Sequence, residues 1–179
     1  MVTHLPPALG DEPSNGPENH GDLGIRIDRL GRWYYHGSPI GRKEMVCLFA
    51  SMLSRHRDGS YWLVTPDETG RIEVEDVPLL AVEMFVGGSG REAVVSFRTN
   101  VDDLITVDED HPLRIGEEAG GGELVPYVMV RDGIEARLTR SVYYELVARG
   151  FEEQVGGCEL YGLWSSGKFY PLGRLSEPT

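Results

Sequence analysis

The sequence predicts an α+β fold built mainly from antiparallel sheet, with a duplicated strand–helix–strand unit. Short apolar runs separated by Gly-rich or acidic turns greatly outnumber the two segments with helical periodicity. Two helices are too few to supply the crossovers that a parallel sheet requires. The segments around these two helices are also similar to each other, which indicates duplication.

In the first half, alternating apolar residues predict strands at residues 25–27 and 33–35, joined by the turn DRLG. A helix is predicted over about residues 41–55. Two further runs, SYWLVTP and RIEVEDVP, read as strands. The helix prediction depends on apolar residues at helical spacing, namely Met45, Val46, Leu48, Phe49, Met52 and Leu53.

In the second half, the runs LLAVEMFV, EAVVSFRT, DLITVD and HPLRI read as strands, and GEEAGGGEL reads as a solvated loop. A hairpin is predicted around Asp132-Gly133, a strong type I′ turn signal. The second helix is predicted over about residues 139–149, with Thr139 as its N-cap. A last hairpin turns through Ser166-Gly167.

The two helical segments align, IGRKEMVCLFA (40–50) with LTRSVYYELVA (138–148). Each follows an apolar strand ending in Gly and precedes an aromatic strand, so we predict a duplicated unit. Residues 1–21 are rich in Pro, Gly and acids and cannot bury enough apolar surface to fold, which predicts a disordered tail. The remaining chain is assigned to an N-terminal α+β domain (22–76) and a C-terminal α+β domain (77–175).

The net charge of −12 makes binding to nucleic acid polymers or anionic membranes unfavourable. Only Cys47 and Cys158 are present, too few for a disulfide framework, which favours a reducing cytoplasm. The first residues lack the basic and apolar regions of a signal peptide, and no apolar run approaches the roughly 20 residues that span a bilayer. We therefore expect a cytoplasmic protein.

Cations occur where both helices should begin, although the positive end of a helix dipole disfavours them. Free backbone N–H groups at a helix N-terminus form an anion site, and a guanidinium beside them is favourable when an anion is bound. The candidate residues are Arg42 and Lys43 in the first unit and Arg137 and Arg140 in the second. The alternative is that these cations are exposed or pair with nearby acids, namely Glu44, Asp132 or Glu135.

Three further residues are candidates for ligand contacts. Arg98 and Asn100 at a strand end could recognise a carboxylate or a phosphate, or could simply close a turn. Trp164 could offer a stacking surface beside two serines, or could be a core residue. The chain has no GxSxG, Walker or GxGxxG motif in the required context, and its histidines lack metal-ligand spacing. No catalytic residue, cofactor or metal is therefore predicted.

The combined motifs resemble the bacterial family called domain of unknown function 1285 over about residues 22–173. The similar segments are GRWYYHGSPIGRKEMVCLFASML, YWLVTPDE, IEVEDVP, FRTNVDD, HPLRI, PYVMVRDGIEARLTRSVYYEL and LWSSGKFYPLG. The resemblance implies a two-domain α+β chain made by duplication, with a C-terminal half similar to pleckstrin-homology-like folds. It also implies a nucleotide-like ligand at the domain interface and a role in signal transduction. The family offers no established catalytic residues.

The leading hypothesis is a sensor or signalling protein that binds a small anionic ligand, in the nucleotide class, between two related domains. The alternative is a protein–protein interaction module, in which the candidate cations are surface residues. A hydrolase would need a nucleophile–base pair that the sequence does not show. Convergence of Arg42, Arg98 and Arg140 in one cleft would favour the ligand hypothesis, whereas side chains on separate faces would favour the interaction module.

Overall fold

The structure, a computed structural model, describes residues 16–175. Within this range the chain runs through successive three-stranded antiparallel meanders. The first two, with the helix between them, are β1 (Glu18–Ile27), β2 (Trp33–Tyr35), β3 (Ser38–Pro39), α1 (Lys43–Ser51), β4 (Leu53–Arg55), β5 (Tyr61–Val64) and β6 (Glu68–Val74). The next two are β7 (Leu79–Gly87), β8 (Val94–Thr99), β9 (Leu104–Thr106), β10 (Leu113–Glu117), β11 (Leu124–Arg131) and β12 (Ile134–Leu138), with a 3₁₀ turn at Gly90–Glu92. The last part is α2 (Arg140–Ala148), β13 (Phe151–Val155), β14 (Cys158–Ser165) and β15 (Lys168–Arg174).

Two six-stranded sheets have the same topology. The first has the order β3-β2-β1-β6-β5-β4, and the second has the order β9-β8-β7-β12-β11-β10. In each sheet the first strand of one meander pairs in parallel with the last strand of the next, as β1 with β6 and β7 with β12. The other strand pairs are antiparallel. The prediction of mainly antiparallel sheet with two helices is therefore confirmed, and the matching sheets support duplication.

The correspondence between the two sheets differs from the correspondence between the two helical segments. In the sheets, β1–β6 correspond to β7–β12, so the counterpart of α1 is the short connection between β9 and β10. Aligning α1 with α2 preserves the order of elements, but the strands that follow α2 form a separate sheet, β13-β14-β15. The expected pleckstrin-homology-like character is not confirmed, because β7–β12 form a sheet with edges at β9 and β10.

Two sequence boundaries were wrong. α1 ends at Ser51 rather than near residue 55, because the buried Leu53 pairs with Leu63 as the start of β4. The predicted tail is also too long, because β1 begins at Glu18 and Asn19 pairs with Thr69 of β6. Residues 1–15 of that predicted tail lie outside the described residues.

The two sheets share one core and several polar contacts. Ile27 and Trp33 of the first sheet belong to the same buried cluster as Phe97 of the second sheet and Leu146 of α2. The guanidinium of Arg131 on β11 donates to the backbone carbonyl of Ala50 at the end of α1. The seam between the sheets is therefore packed, and it positions the turn after β1 beside the start of α2.

Candidate functional site

A pocket of about 430 Å³ opens at the seam between the two sheets. It lies between the turn after β1, the start of β7, the β10–β11 hairpin and the first turns of α2. Both units of the chain, the first ending at residue 76 and the second beginning at residue 77, therefore contribute to its wall. Its lining residues are Leu30, Leu80, Glu118, Glu123, Val125, Arg137, Leu138, Thr139, Arg140, Tyr143 and Tyr144.

The N-terminus of α2 faces this pocket without a side-chain cap. Thr139 occupies the N-cap position in an extended conformation, and its own N–H donates to the Ala81 carbonyl at 3.1 Å. Among the described residues, the N–H groups of Arg140, Ser141 and Val142 have no hydrogen-bond acceptor. The Arg140 side chain is exposed and makes no ion pair within residues 16–175. This corner of the pocket is therefore electropositive.

Arg137 also lines the pocket, but its charge is neutralised by neighbours. Its guanidinium forms a salt bridge with Glu118 and lies 4.0 Å from a carboxylate oxygen of Asp76. The same guanidinium donates to the backbone carbonyl of Arg29 at 2.5 Å. All three charged side chains are largely buried. Arg137 thus joins the two units and is not available as a free cation.

The Asp76 carboxylate is further satisfied inside the seam. It accepts hydrogen bonds from the Tyr127 hydroxyl at 3.0 and 3.1 Å and from the Ala119 N–H at 3.2 Å. Burial and the neighbouring Asp76 charge raise the pKa of Tyr127, so its hydroxyl remains a neutral donor. The wall behind Arg137 is consequently a closed hydrogen-bond network.

Acidic and aromatic side chains line the rest of the pocket. Glu118 and Glu123 flank the β10–β11 loop, and Glu118 is the partner of Arg137. The rings of Tyr143 and Tyr144 stack with centroids 6.4 Å apart, and Tyr144 is 62% exposed. The pocket therefore combines one free cation, free N–H donors, a carboxylate and an accessible aromatic ring.

Lys43 and Arg98 lie together, but outside this pocket. Lys43 Nζ is 2.8 Å and Arg98 Nη1 is 3.0 Å from the two carboxylate oxygens of Asp102. Arg98 Nε also lies 2.8 Å from Glu83. The hydrogen bond from Lys43, followed by that from Arg98, lowers the pKa of Asp102. These cations form a compensated surface network, with partners other than the acids named from the sequence.

Asn100 and Arg42 have different surroundings. Asn100 Oδ1 accepts from the Leu80 N–H at 3.0 Å, and its amide lies 3.5 Å from the Gly31 carbonyl, so this side chain links β8 to the turn after β1. Arg42 is the exposed N-cap residue of α1 and does not line the pocket at α2. The two helix starts therefore do not share the pocket, and the expected convergence of Arg42, Arg98 and Arg140 in one cleft is not found.

Trp164 lines a second cavity, of about 250 Å³, near the C-terminal end of α2. Its indole N–H donates to Glu153 at 3.1 Å, and the Arg91 guanidinium lies 5.2 Å from its ring centroid. Of the seven sequence candidates, only Arg137 and Arg140 line the pocket at the seam.

Glu118, Glu123 and the two tyrosines of the pocket were not among the residues predicted from the sequence. Tyr143 and Tyr144 follow Arg140 by three and four residues, which places them on its face of the helix. That spacing was a usable signal. Glu123 lies in the Gly-rich acidic loop, where no sequence pattern distinguishes it from its solvated neighbours.

Within residues 16–175, no group of three or more His, Cys, Asp or Glu side chains could hold a metal ion. In the same range no helix is long and apolar enough to cross a membrane.

The sequence matches two family models that together cover most of the chain. Residues 14–77 match "Domain of unknown function (DUF1285), N-terminal domain", and residues 78–172 match "Protein of unknown function (DUF1285), C-terminal domain". No curated protein matches the sequence.

Two solved structures are similar to this chain. A DUF1285 family protein from Silicibacter pomeroyi DSS-3 is 42% identical, with a TM-score of 0.82 over 89% of this chain and 85% of that chain. A DUF1285 family protein from Shewanella baltica OS155 is 28% identical, with a TM-score of 0.56 over 71% of this chain and 92% of that chain. The resemblance seen in the motifs is thus confirmed, and the chain belongs to the DUF1285 family.

Proposed function

We propose that this protein is a sensor or signalling protein that binds a small anionic ligand, in the nucleotide class, in the pocket between its two units. The observation that carries the proposal is Arg140, a cation without an ion-pair partner in the described chain, beside the uncapped N-terminus of α2. This corner opens into a pocket of about 430 Å³, within the size range of small-molecule sites.

The lining matches the parts of a nucleoside monophosphate. A phosphate at the start of α2 would accept hydrogen bonds from the free N–H groups and from Arg140. The exposed ring of Tyr144 offers a stacking surface for a base. Glu123 supplies a carboxylate that accepts hydrogen bonds from sugar hydroxyls. Contacts with both the phosphate and the base would favour such a ligand over inorganic phosphate.

The pocket suits binding better than catalysis. Its lining contains no serine, cysteine or histidine, and the Thr139 hydroxyl lies 3.3 Å from the Ser141 hydroxyl and not against a base. Its buried acids are held by Arg137 and by the Tyr127 hydroxyl. A ligand that touches both units would instead favour one relative position of the two sheets, which is the property that a sensor needs.

The test compares Arg140→Gln with the matched variant Arg42→Gln. Both arginines are exposed at the start of a nine-residue helix, but only Arg140 lines the pocket. With adenosine and guanosine monophosphates as probes, calorimetry should show an affinity that falls about 10- to 150-fold for Arg140→Gln. The Arg42→Gln variant should bind as the unmodified chain does. Equal affinities for all three proteins would overturn the assignment of Arg140.

The second candidate function is a protein–protein interaction module. It is favoured by apolar side chains that stand exposed around the pocket, since Leu30, Leu124 and Tyr144 are 60%, 58% and 62% exposed. If no nucleoside monophosphate shifts the melting temperature, the ligand proposal fails and this interpretation takes its place. Binding of the nucleotides would instead explain Tyr144 as the stacking surface.

A further inference from the structure

The second cavity lies at the opposite end of α2 from the pocket at the seam. Its floor is apolar and deeply buried, since Leu146, Val95, Leu163 and Met84 are 0%, 1%, 4% and 7% exposed. Phe151 and Trp164 form an aromatic side. An apolar cavity of about 250 Å³ holds few hydrogen-bond partners for water and is therefore suited to an apolar guest.

One wall of the cavity is the Gly-rich tip of the β7–β8 hairpin, which is held in place by contacts on its outer side. Arg91 in this tip forms a salt bridge with Glu153 of β13, and its guanidinium also lies over the Trp164 ring. Trp164 in turn donates to the same Glu153 at 3.1 Å. The wall is consequently held against β13 and β14 by specific contacts and not by filling the cavity.

Among residues 16–175, the only charged side chain in the cavity lining is Arg149, at the C-cap of α2. Its ion pair with Glu145 spans 3.7 Å between two half-exposed side chains one helical turn apart, a weak arrangement. Two of the last carbonyls of α2 have backbone donors of their own. The N–H groups of Arg149 and Gly150 donate to the Leu146 and Val147 carbonyls at 3.1 and 3.2 Å. The Arg149 guanidinium is thus available to a ligand.

We propose that this cavity is a second binding site, for an apolar monocarboxylate. Its hydrocarbon body would lie against Leu146 and Leu163, and its carboxylate would accept hydrogen bonds from Arg149. At roughly 30 Å³ per small group, the cavity has room for on the order of eight to ten non-hydrogen atoms. A straight-chain acid of that size is the ligand class that the lining fits. The site shares no lining residue with the pocket at the seam.

The experiment titrates the full chain with octanoate and with its neutral counterpart octanol, using calorimetry. Arg149→Gln should weaken octanoate binding by at least about tenfold, because a charge-assisted hydrogen bond is lost, and should leave octanol binding unchanged. Arg57→Gln removes another exposed arginine, one outside both sites, and should bind octanoate normally. Arg140→Gln should also bind octanoate normally.

Each alternative result has a distinct meaning. If octanoate binds equally to the unmodified chain and to Arg149→Gln, or does not bind at all, the proposal is overturned. Loss of octanoate binding in Arg140→Gln but not in Arg149→Gln would move the acid to the pocket at the seam and would equally overturn it. Because nucleotide binding is measured separately, failure of this site leaves the proposed function untouched.

Discussion

Arg137 and Arg140 are three residues apart and both face the same pocket, yet their surroundings assign them opposite roles. Arg137 lies between Glu118 and Asp76, with its side chain only 15% exposed. Arg140 is exposed and has no ion-pair partner in the described part of the chain. One arginine therefore holds the seam together, while the other is available to a ligand.

This contrast predicts different effects on stability. Arg137→Gln leaves Asp76 and Glu118, whose side chains are 6% and 13% exposed, without their cation, and should reduce the free energy of unfolding by about 3 kcal/mol. Arg140→Gln should change it by less than about 0.5 kcal/mol. Urea denaturation of both variants measures the difference. Equal stabilities would mean that the buried network does not depend on Arg137.

The Asp102 carboxylate offers a pH test of the surface network. Its pKa lies below the ordinary value, first because of the hydrogen bond from Lys43 and then because of Arg98. A lowered folded-state pKa stabilises the fold above the unfolded pKa of about 4, and this contribution is lost as the pH falls through the folded value. Lys43→Gln should raise the pKa of Asp102 toward its ordinary value, as measured by carboxyl NMR titration. Lys168→Gln, which changes the chain's other lysine, should not.

At this scale, the sequence placed Arg140 at a helix start but could not distinguish its surroundings from those of Arg137. The helix-start argument is local, and it applied because Arg140 is the first residue of α2. Arg137 is neutralised in part by Asp76 of the first unit. Asp76 lies 61 positions earlier in the chain, and only the fold brings the two residues together. For the same reason, the pairing of Lys43 with Asp102 was not visible in the sequence.

The two helices show which features of an element are encoded locally. Helical spacing of apolar residues predicted both, and α2 matches its predicted range to within a residue at each end. The end of α1 was misplaced because Met52 and Leu53 continue the apolar pattern, whereas Leu53 is taken up by a strand pairing with Leu63. Periodicity detects burial, but tertiary pairing decides which element buries the residue.

Because the start of α2 lacks a side-chain cap, a capping substitution there should raise stability and weaken ligand binding. Thr139→Asp places a carboxylate at an N-cap whose side chain makes no capping bond, and should stabilise the protein by about 0.5–1 kcal/mol in urea denaturation. The same carboxylate would occupy the proposed anion position and should weaken adenosine monophosphate binding. Arg42→Asp makes the equivalent change at α1 and should stabilise without altering binding. Unchanged nucleotide affinity in Thr139→Asp would argue against an anion at this helix start.

At the scale of the whole molecule, the sequence predicted sheet and duplication but not which parts correspond. The similarity of residues 40–50 to 138–148 aligned the helices, whereas the sheet order aligns β1–β6 with β7–β12. The parallel pairings of β1 with β6 and of β7 with β12 join strands that are remote in sequence. Such pairings are determined by the packing of whole meanders, so the sequence of each strand contains no local pattern that predicts its partner.

The shared core makes a final prediction about cooperativity. Buried residues of both units belong to one cluster, and Arg131, Arg137 and Asn100 add hydrogen bonds across the seam. Such a chain should unfold in a single step. The three tryptophans report on two of the three sheets, since Trp33 and Trp62 lie in the first sheet and Trp164 lies in the β13-β14-β15 sheet. With 5-fluorotryptophan, assigned by the Trp62→Phe and Trp164→Phe variants, all three ¹⁹F signals should convert at the same urea concentration. A Trp164 signal that converts separately would show that the β13-β14-β15 sheet unfolds apart from the first sheet, and would contradict single-step unfolding.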